Sequence, residues 1–230
     1  MQILAISDLD ALFGDYKPFE KALAKEKEPD LVLIAGDLTR WGSLEDFLSV
    51  VRPFEKTKWK CPIIACLGNH EPEDAKEMFL KYSKRIEILE DEATEISIKG
   101  EKITIIGSRG SLDDFGIGHY IDFASRQDIE ARLKKIGALL KKTKGEKILL
   151  THYAPTFKTL EGEHPSIWGG MADPRMEDFI RKYKPLFCLH GHAHYGKEMD
   201  FVGSTPVFNS AFTLRNGFLK IDTKRLPRAR

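Results

Sequence analysis

Residues 3–10 read Ile3-Leu4-Ala5-Ile6-Ser7-Asp8-Leu9-Asp10: an apolar run, a serine, then two aspartates that flank a leucine. The pattern recurs in LVLIAG-Asp37 (31–37), CPIIACLG-Asn69-His70 (61–70), KILLT-His152 (147–152) and LFCLHG-His192-Ala193-His194 (186–194). Continuous Val/Ile/Leu runs of this length suit strands buried on both faces, as in parallel sheets covered by helices. In such sheets ligands bind in the crevice beyond the carboxyl ends of the strands. Asp, Asn and His at five such ends, far apart in sequence, are therefore expected to converge in space.

The spacing between the runs supports this reading. Strand 2–7 is followed by a helix over 18–27, strand 31–35, a helix over 43–51, strand 62–67 and a helix over 72–83, the alternation of a parallel sheet. Around 93–108 the pattern changes to two strands joined at Lys99-Gly100-Glu101, a hairpin that implies a mixed or a second sheet. A helix over 121–141, strand 147–151, a loop over 153–171, a helix over 174–183, strand 186–190 and short strands near 198–202, 206–209 and 217–222 complete the reading. The fold class expected is α/β, and residues 1–230 read as one domain with no repeat or linker. The Gly-rich stretches 109–120 and 164–171 are longer than ordinary connections, a feature of binding loops.

Composition narrows the partners. In 230 residues, 36 Lys and Arg stand against 35 Asp and Glu, a formal net charge of +1. That balance gives no electrostatic footprint for extended nucleic acid or an acidic membrane surface. No apolar stretch approaches the ~20 residues of a membrane span, and Met1–Ser7 leads straight into a strand without the marks of a secretory leader. Cys61, Cys66 and Cys188 lie inside apolar runs and read as reduced thiols of a cytoplasmic protein. Two Gln and three Asn beside abundant Lys and Glu resemble hyperthermophile composition.

The loops carry three carboxylates (Asp8, Asp10, Asp37), one amide oxygen (Asn69) and three imidazoles (His152, His192, His194). Seven mixed N/O donors are too many for one tetrahedral zinc and suit two adjacent ions. Without a thiolate among them, a structural zinc-finger site is not indicated. Period-2 geometry is expected to send Asp8 and Asp10 to one side and Leu9 to the other, and likewise His192 and His194 around Ala193. A glycine before Asp37, Asn69 and His192 lets the backbone turn and leaves space for an ion and substrate.

These blocks resemble those of the calcineurin-like metallophosphoesterase superfamily. Its ordered motifs Asp-x-His, Gly-Asp, Gly-Asn-His-Glu/Asp, His and Gly-His-x-His align with Asp8-Leu9-Asp10, Gly36-Asp37, Gly68-Asn69-His70-Glu71, His152 and Gly191-His192-Ala193-His194. The resemblance implies an αββα sandwich of two mixed sheets flanked by helices, with a dinuclear site at the strand ends. It implies that Asp8, Asp10 and His194 hold one ion, that Asn69, His152 and His192 hold the other, and that Asp37 bridges them. It further implies in-line attack of a bridging hydroxide on a phosphodiester or phosphomonoester, with His70 assisting the leaving oxygen.

Asp10 departs from the pattern, which has histidine there. Aspartate also ligates metals, and a third carboxylate favours Mn²⁺, with Mg²⁺, Fe, Zn, Ni or Co as alternatives. Arg109, directly after strand 102–108, is a candidate phosphate contact, because guanidinium suits phosphate geometry. His119, His164, Trp41, Trp168 and the Gly169-Gly170 pair are secondary candidates for contact with substrate. The expected substrate is small and phosphorylated or nucleotide-like. The competing reading is a scaffold that keeps the fold without turnover. Gly36-Asp37-Leu38-Thr39-Arg40-Trp41-Gly42 lacks the second Asp and the Arg-Gly pair of the protein phosphatase branch. The near-neutral charge counts against the nuclease branch.

Overall fold

In a computed structural model, which describes residues 1–113 and 125–229, the runs form two facing mixed sheets. The first has the order β11-β1-β2-β3-β4, built from β1 (Gln2–Ile6), β2 (Leu31–Ala35), β3 (Ile63–Cys66), β4 (Glu87–Leu89) and β11 (Leu219–Asp222). The second has the order β5-β6-β7-β8-β10-β9, from β5 (Glu92–Ile98), β6 (Glu101–Ser108), β7 (Lys147–Thr151), β8 (Phe187–His190), β10 (Thr205–Asn209) and β9 (Met199–Val202). β1, β2, β3 and β4 run parallel, as do β6, β7, β8 and β10. β5, β9 and β11 pair antiparallel at three of the four sheet edges.

Each buried strand still alternates, with both of its faces apolar. Ile3, Ala5, Leu31, Leu33, Ile64 and Cys66 point between the sheets, against Ile103, Ile105, Ile148, Leu150, Phe187 and Leu189. Leu4, Ile6, Val32, Ile34, Ile63 and Ala65 point outward, onto Phe19 of α1 (Lys17–Leu23), Phe47 and Phe54 of α2 (Leu44–Thr57) and Phe79 of α3 (Ala75–Tyr82). Ile106, Leu149 and Cys188 pack outward on α4 (Arg126–Lys142) and α5 (Met176–Tyr183). The result is the expected helix, sheet, sheet, helix layering.

Several local expectations change. α2 runs beyond residue 51, through Pro53 to Thr57, because buried Phe54 pins its last turn to the outer face of the sheet. The three-residue strand β4 carries no signal of its own in the sequence, and the strand expected near 217–222 is β11, antiparallel to β1 at the edge of the first sheet. The hairpin turns on Lys99 and Gly100 alone, with φ of +52° and +84° and Ile98 paired to Glu101, the geometry of a type I′ turn. The expected start of α4 at 121, the stretch 114–120 and His119 lie outside the described residues.

Candidate metal centre

The blocks meet at the carboxyl ends of β1, β2, β3, β7 and β8. Strand alternation aims neither the first block nor the last, since β8 ends at His190, two residues short of His192. β1 ends at Ile6, Asp8 takes a left-handed φ of +57°, and Leu9–Leu12 forms a 3-10 turn, so Leu9 enters the core while Asp10 is buried near Asp8. Asp37 and His192 are also left-handed, with φ of +48° and +66°. Such backbone costs about 1–3 kcal/mol at each non-glycine and persists where the surroundings impose it.

The glycines serve the neighbouring block more directly than expected. A Cβ on Gly68 would meet Asp37 Oδ1 at 2.1 Å, one on Gly36 would meet His152 Nδ1 at 2.5 Å, and one on Gly191 would meet Asp8 Oδ2 at 2.6 Å. Each glycine makes room for a candidate ligand from another strand.

Two clusters of donor atoms result, Asp37–His152–His192 and Asp10–Asp37–His70, with the atoms of each within 4.8 Å of one another. His152 Nε2 lies 3.4 Å from Asp37 Oδ2, 2.7 Å from Asn69 Oδ1 and 3.1 Å from His192 Nδ1. His194 Nε2 lies 3.3 Å from Asp8 Oδ1, and Nδ1 of His70 lies 2.6 Å from Asp10 Oδ2 and 3.7 Å from Asp37 Oδ2. All seven ligand candidates and His70 are therefore brought together.

Supporting residues hold them there. Ser7 Oγ donates to Asp8 Oδ2 at 2.5 Å, and the His192 N–H donates to Asp8 Oδ1 at 2.9 Å. Glu71 is fully buried and accepts from the N–H groups of Gly68 (2.7 Å), Asp37 (3.2 Å) and Thr39 (2.8 Å), and from the Thr39 hydroxyl (3.0 Å). It ties the Asp37 loop to the Asn69-His70 loop. Glu71 stands within its sequence block without a mark of this role, because four donors from three separate residues converging on one buried carboxylate leave no sequence signal.

Arg109, expected at a phosphate oxygen, is buried behind the same loop. Its guanidinium donates to the carbonyls of Gly68, Glu71 and Pro72 and faces Glu90 at 3.3 Å. His164 is exposed and caps the turn Pro165–Gly170, while the Trp168 indole N–H donates to Glu163 O at 3.1 Å. The carbonyl of Gly169 accepts from the Asp113 N–H at 3.1 Å, so this end of the turn presents an acceptor.

The electrostatics call for cations. Burial, and then the charges of Glu71, Asp10 and Asp8, push Asp37 well above the usual carboxylate range. Burial also opposes charge on Asp8 and on His194, but their attraction prevails, holding Asp8 well below its usual value and pushing His194 up to about 9. Burial pushes His152 and His192 below the usual imidazole value, and the hydrogen bond to Asp10 raises His70. His152 Nδ1 donates to Ala35 O at 3.0 Å, which leaves a lone pair on Nε2 facing the Asn69 oxygen. Two acceptors at 2.7 Å repel unless a cation joins them. Asp10 Oδ1 is likewise buried without a hydrogen-bond partner. The residues present fit divalent metal ions with N/O ligands.

The layered sandwich and this convergence define a metallophosphoesterase-type protein. The chain belongs to the calcineurin-like phosphoesterase family, whose model matches residues 1–196. Among solved structures it is similar to the phosphopantetheinyl hydrolase of Mycobacterium tuberculosis, at 14% identity over 98% of both chains with a TM-score of 0.75. It is also similar to a candidate 5′-nucleotidase from Staphylococcus aureus, at 14% identity over 90% of this chain and 48% of that one, with a TM-score of 0.58. Both likenesses concern the fold. No curated protein matches the chain. Among the described residues no helix is long and apolar enough to cross a membrane.

Proposed function

We propose that the chain is a dinuclear metal-dependent phosphoesterase, hydrolysing phosphodiester or phosphomonoester bonds of a small substrate. The observation that carries this reading is that Asp37 lies with His152 and His192 on one side and with Asp10 on the other, where its carboxylate would serve both ions. Asp8, Asp10 and His194 would hold one ion, Asn69, His152 and His192 the other. When bound, two divalent ions neutralise charge on the phosphoryl oxygens and lower the pKa of a coordinated water.

The chain's own residues do the rest. Ala35 O fixes the His152 tautomer, so Nε2 is available as a donor atom to a cation. Glu71 holds the Asp37 and His70 loops in one arrangement without itself facing solvent. Asp10 engages Nδ1 of His70, which leaves Nε2 free to give a proton to the leaving oxygen. His70 is half-buried beside this cluster, so substrate can reach it.

The test is hydrolysis of a chromogenic phosphodiester and the matching monoester by metal-stripped protein and by protein reloaded with Mn²⁺. Turnover is expected only after reloading, and it should fall at least about 100-fold in His70→Ala and in Asp37→Ala. Turnover that persists in chelator, or survives Asp37→Ala, contradicts the reading.

A further inference from the structure

Trp41 is 58% exposed, yet the chain around it is held on every side. Arg40 gives its N–H and two guanidinium nitrogens to Asp46, a buried carboxylate, at 3.1, 3.0 and 3.2 Å. The Ser43 N–H closes the turn on Arg40 O at 3.0 Å. A Cβ on Gly42 would meet Pro72 Cδ at 2.5 Å, so this loop lies directly against the one that follows His70. Trp41 itself has φ of +56°, a region that bulky residues avoid unless the surroundings impose it. Its indole stacks on the His70 imidazole, with centroids 5.0 Å apart and planes 23° from parallel.

Scattered exposed hydrophobics are ordinary, but all of those here except Tyr82, at the end of α3, follow a candidate ligand closely. Among the described residues four large ones are exposed: Phe13, Trp41, Tyr82 and Tyr195. Phe13 follows Asp10 by three residues, Trp41 follows Asp37 by four and Tyr195 follows His194 by one. A Cβ on Gly14 would meet Arg40 Nη2 at 2.7 Å, which sets the Phe13 loop beside the Trp41 loop. Aromatic surface is thus concentrated on the loops that carry the candidate ligands.

Resting on the phosphoesterase reading above, the geometry points to Trp41 as a specificity-determining residue, a stacking platform beside His70 that favours phosphoesters whose alcohol carries a flat aromatic ring. With one ring face on His70, the indole offers its remaining surface to a group attached to the leaving oxygen that His70 serves. A nucleobase or a simple aryl ring supplies the matching π-face; a bare sugar or an alkyl chain does not. The clamp on Arg40 means that little loop ordering opposes the stack.

The test uses Mn²⁺-loaded protein and isothermal titration with phosphonates that resist hydrolysis. The phosphonate isostere of AMP is compared with that of ribose 5-phosphate, and benzylphosphonate with cyclohexylmethylphosphonate. The aromatic member of at least one pair should bind at least about fivefold more tightly, the low end for one stacked ring. In Trp41→Leu the ratio should fall to within about twofold of unity, and Trp41→Phe should retain part of it. Preference in the first pair alone identifies a nucleoside, in the second alone a small aryl group, and in both the ring itself. Equal affinities in wild type, no binding of any probe, or a preference that survives Trp41→Leu overturns the proposal. A Trp41-dependent preference without turnover of the corresponding esters supports the platform and contradicts only the hydrolase reading.

Discussion

Asp10 Oδ2 lies 2.6 Å from Nδ1 of His70, while its other oxygen is buried with no partner. One carboxylate thus faces the proposed acid with one oxygen, while no N–H or O–H of the described residues donates to the other. Where the family carries histidine, this residue links the ligand set to His70. Asp10→Ala should weaken Mn²⁺ binding at least about tenfold, the scale of losing one supporting or direct metal contact. Equilibrium dialysis checks it; unchanged affinity and stoichiometry would remove Asp10 from the centre.

Arg109 is predicted to matter for stability more than for substrate. Its fork meets three backbone carbonyls and Glu90 from a buried position, a geometry that a lysine ammonium cannot reproduce. Arg109→Lys should lower the unfolding free energy by about 2 kcal/mol in urea titrations. A variant of unchanged stability and raised KM would instead put this guanidinium on the phosphate.

Gly68→Ala isolates a steric effect, because Gly68 lacks the positive φ of Gly36. The added methyl would meet Asp37 Oδ1 at 2.1 Å and must displace the carboxylate common to both clusters. Metal binding should be lost while the circular dichroism of the fold is retained. Gly100→Ala, where a Cβ meets nothing within 4 Å, should leave metal binding intact and cost about 1 kcal/mol through its positive φ. Equal metal binding in both variants contradicts this assignment.

His190 sets an acid limit on the metal-free fold. It is fully buried with Nε2 unpartnered, and burial pushes its pKa down to about 4. Between pH 6.5 and 4 the unfolded chain binds the proton and the folded chain does not, so stability falls as pH falls through this window. The loss attributable to this residue is on the order of 3 kcal/mol by pH 4. Urea unfolding in chelator should show a shallower pH slope in His190→Gln than in wild type. Identical slopes would rule this cause out.

The candidate ligands were legible because each ends an apolar run, and runs buried on both faces announce parallel strands without further context. The geometry that aims them was less so. Asp8 and Asp10 look like alternate strand positions, but a left-handed residue and a 3-10 turn place them, choices that depend on the carbonyls of Gly36 and Asp37, which accept from their N–H groups. β4 is too short to carry a period, and the return of β11 to β1 is a long-range pairing. Arg109 shows the limit most clearly: a guanidinium after a strand reads as a phosphate contact until the carbonyls behind it are seen. Trp41 is already a secondary candidate from the sequence, but its exposure and its stack on His70 exist only in three dimensions.

The central claim is a pair of ions sharing Asp37, and counting them tests it most directly. Metal-stripped protein is dialysed to equilibrium against Mn²⁺, and the metal bound per chain is measured for wild type and Asp37→Asn. Two ions per chain in wild type and fewer in the variant is the predicted result. One ion or none in wild type, or two retained without the Asp37 carboxylate, would contradict the account.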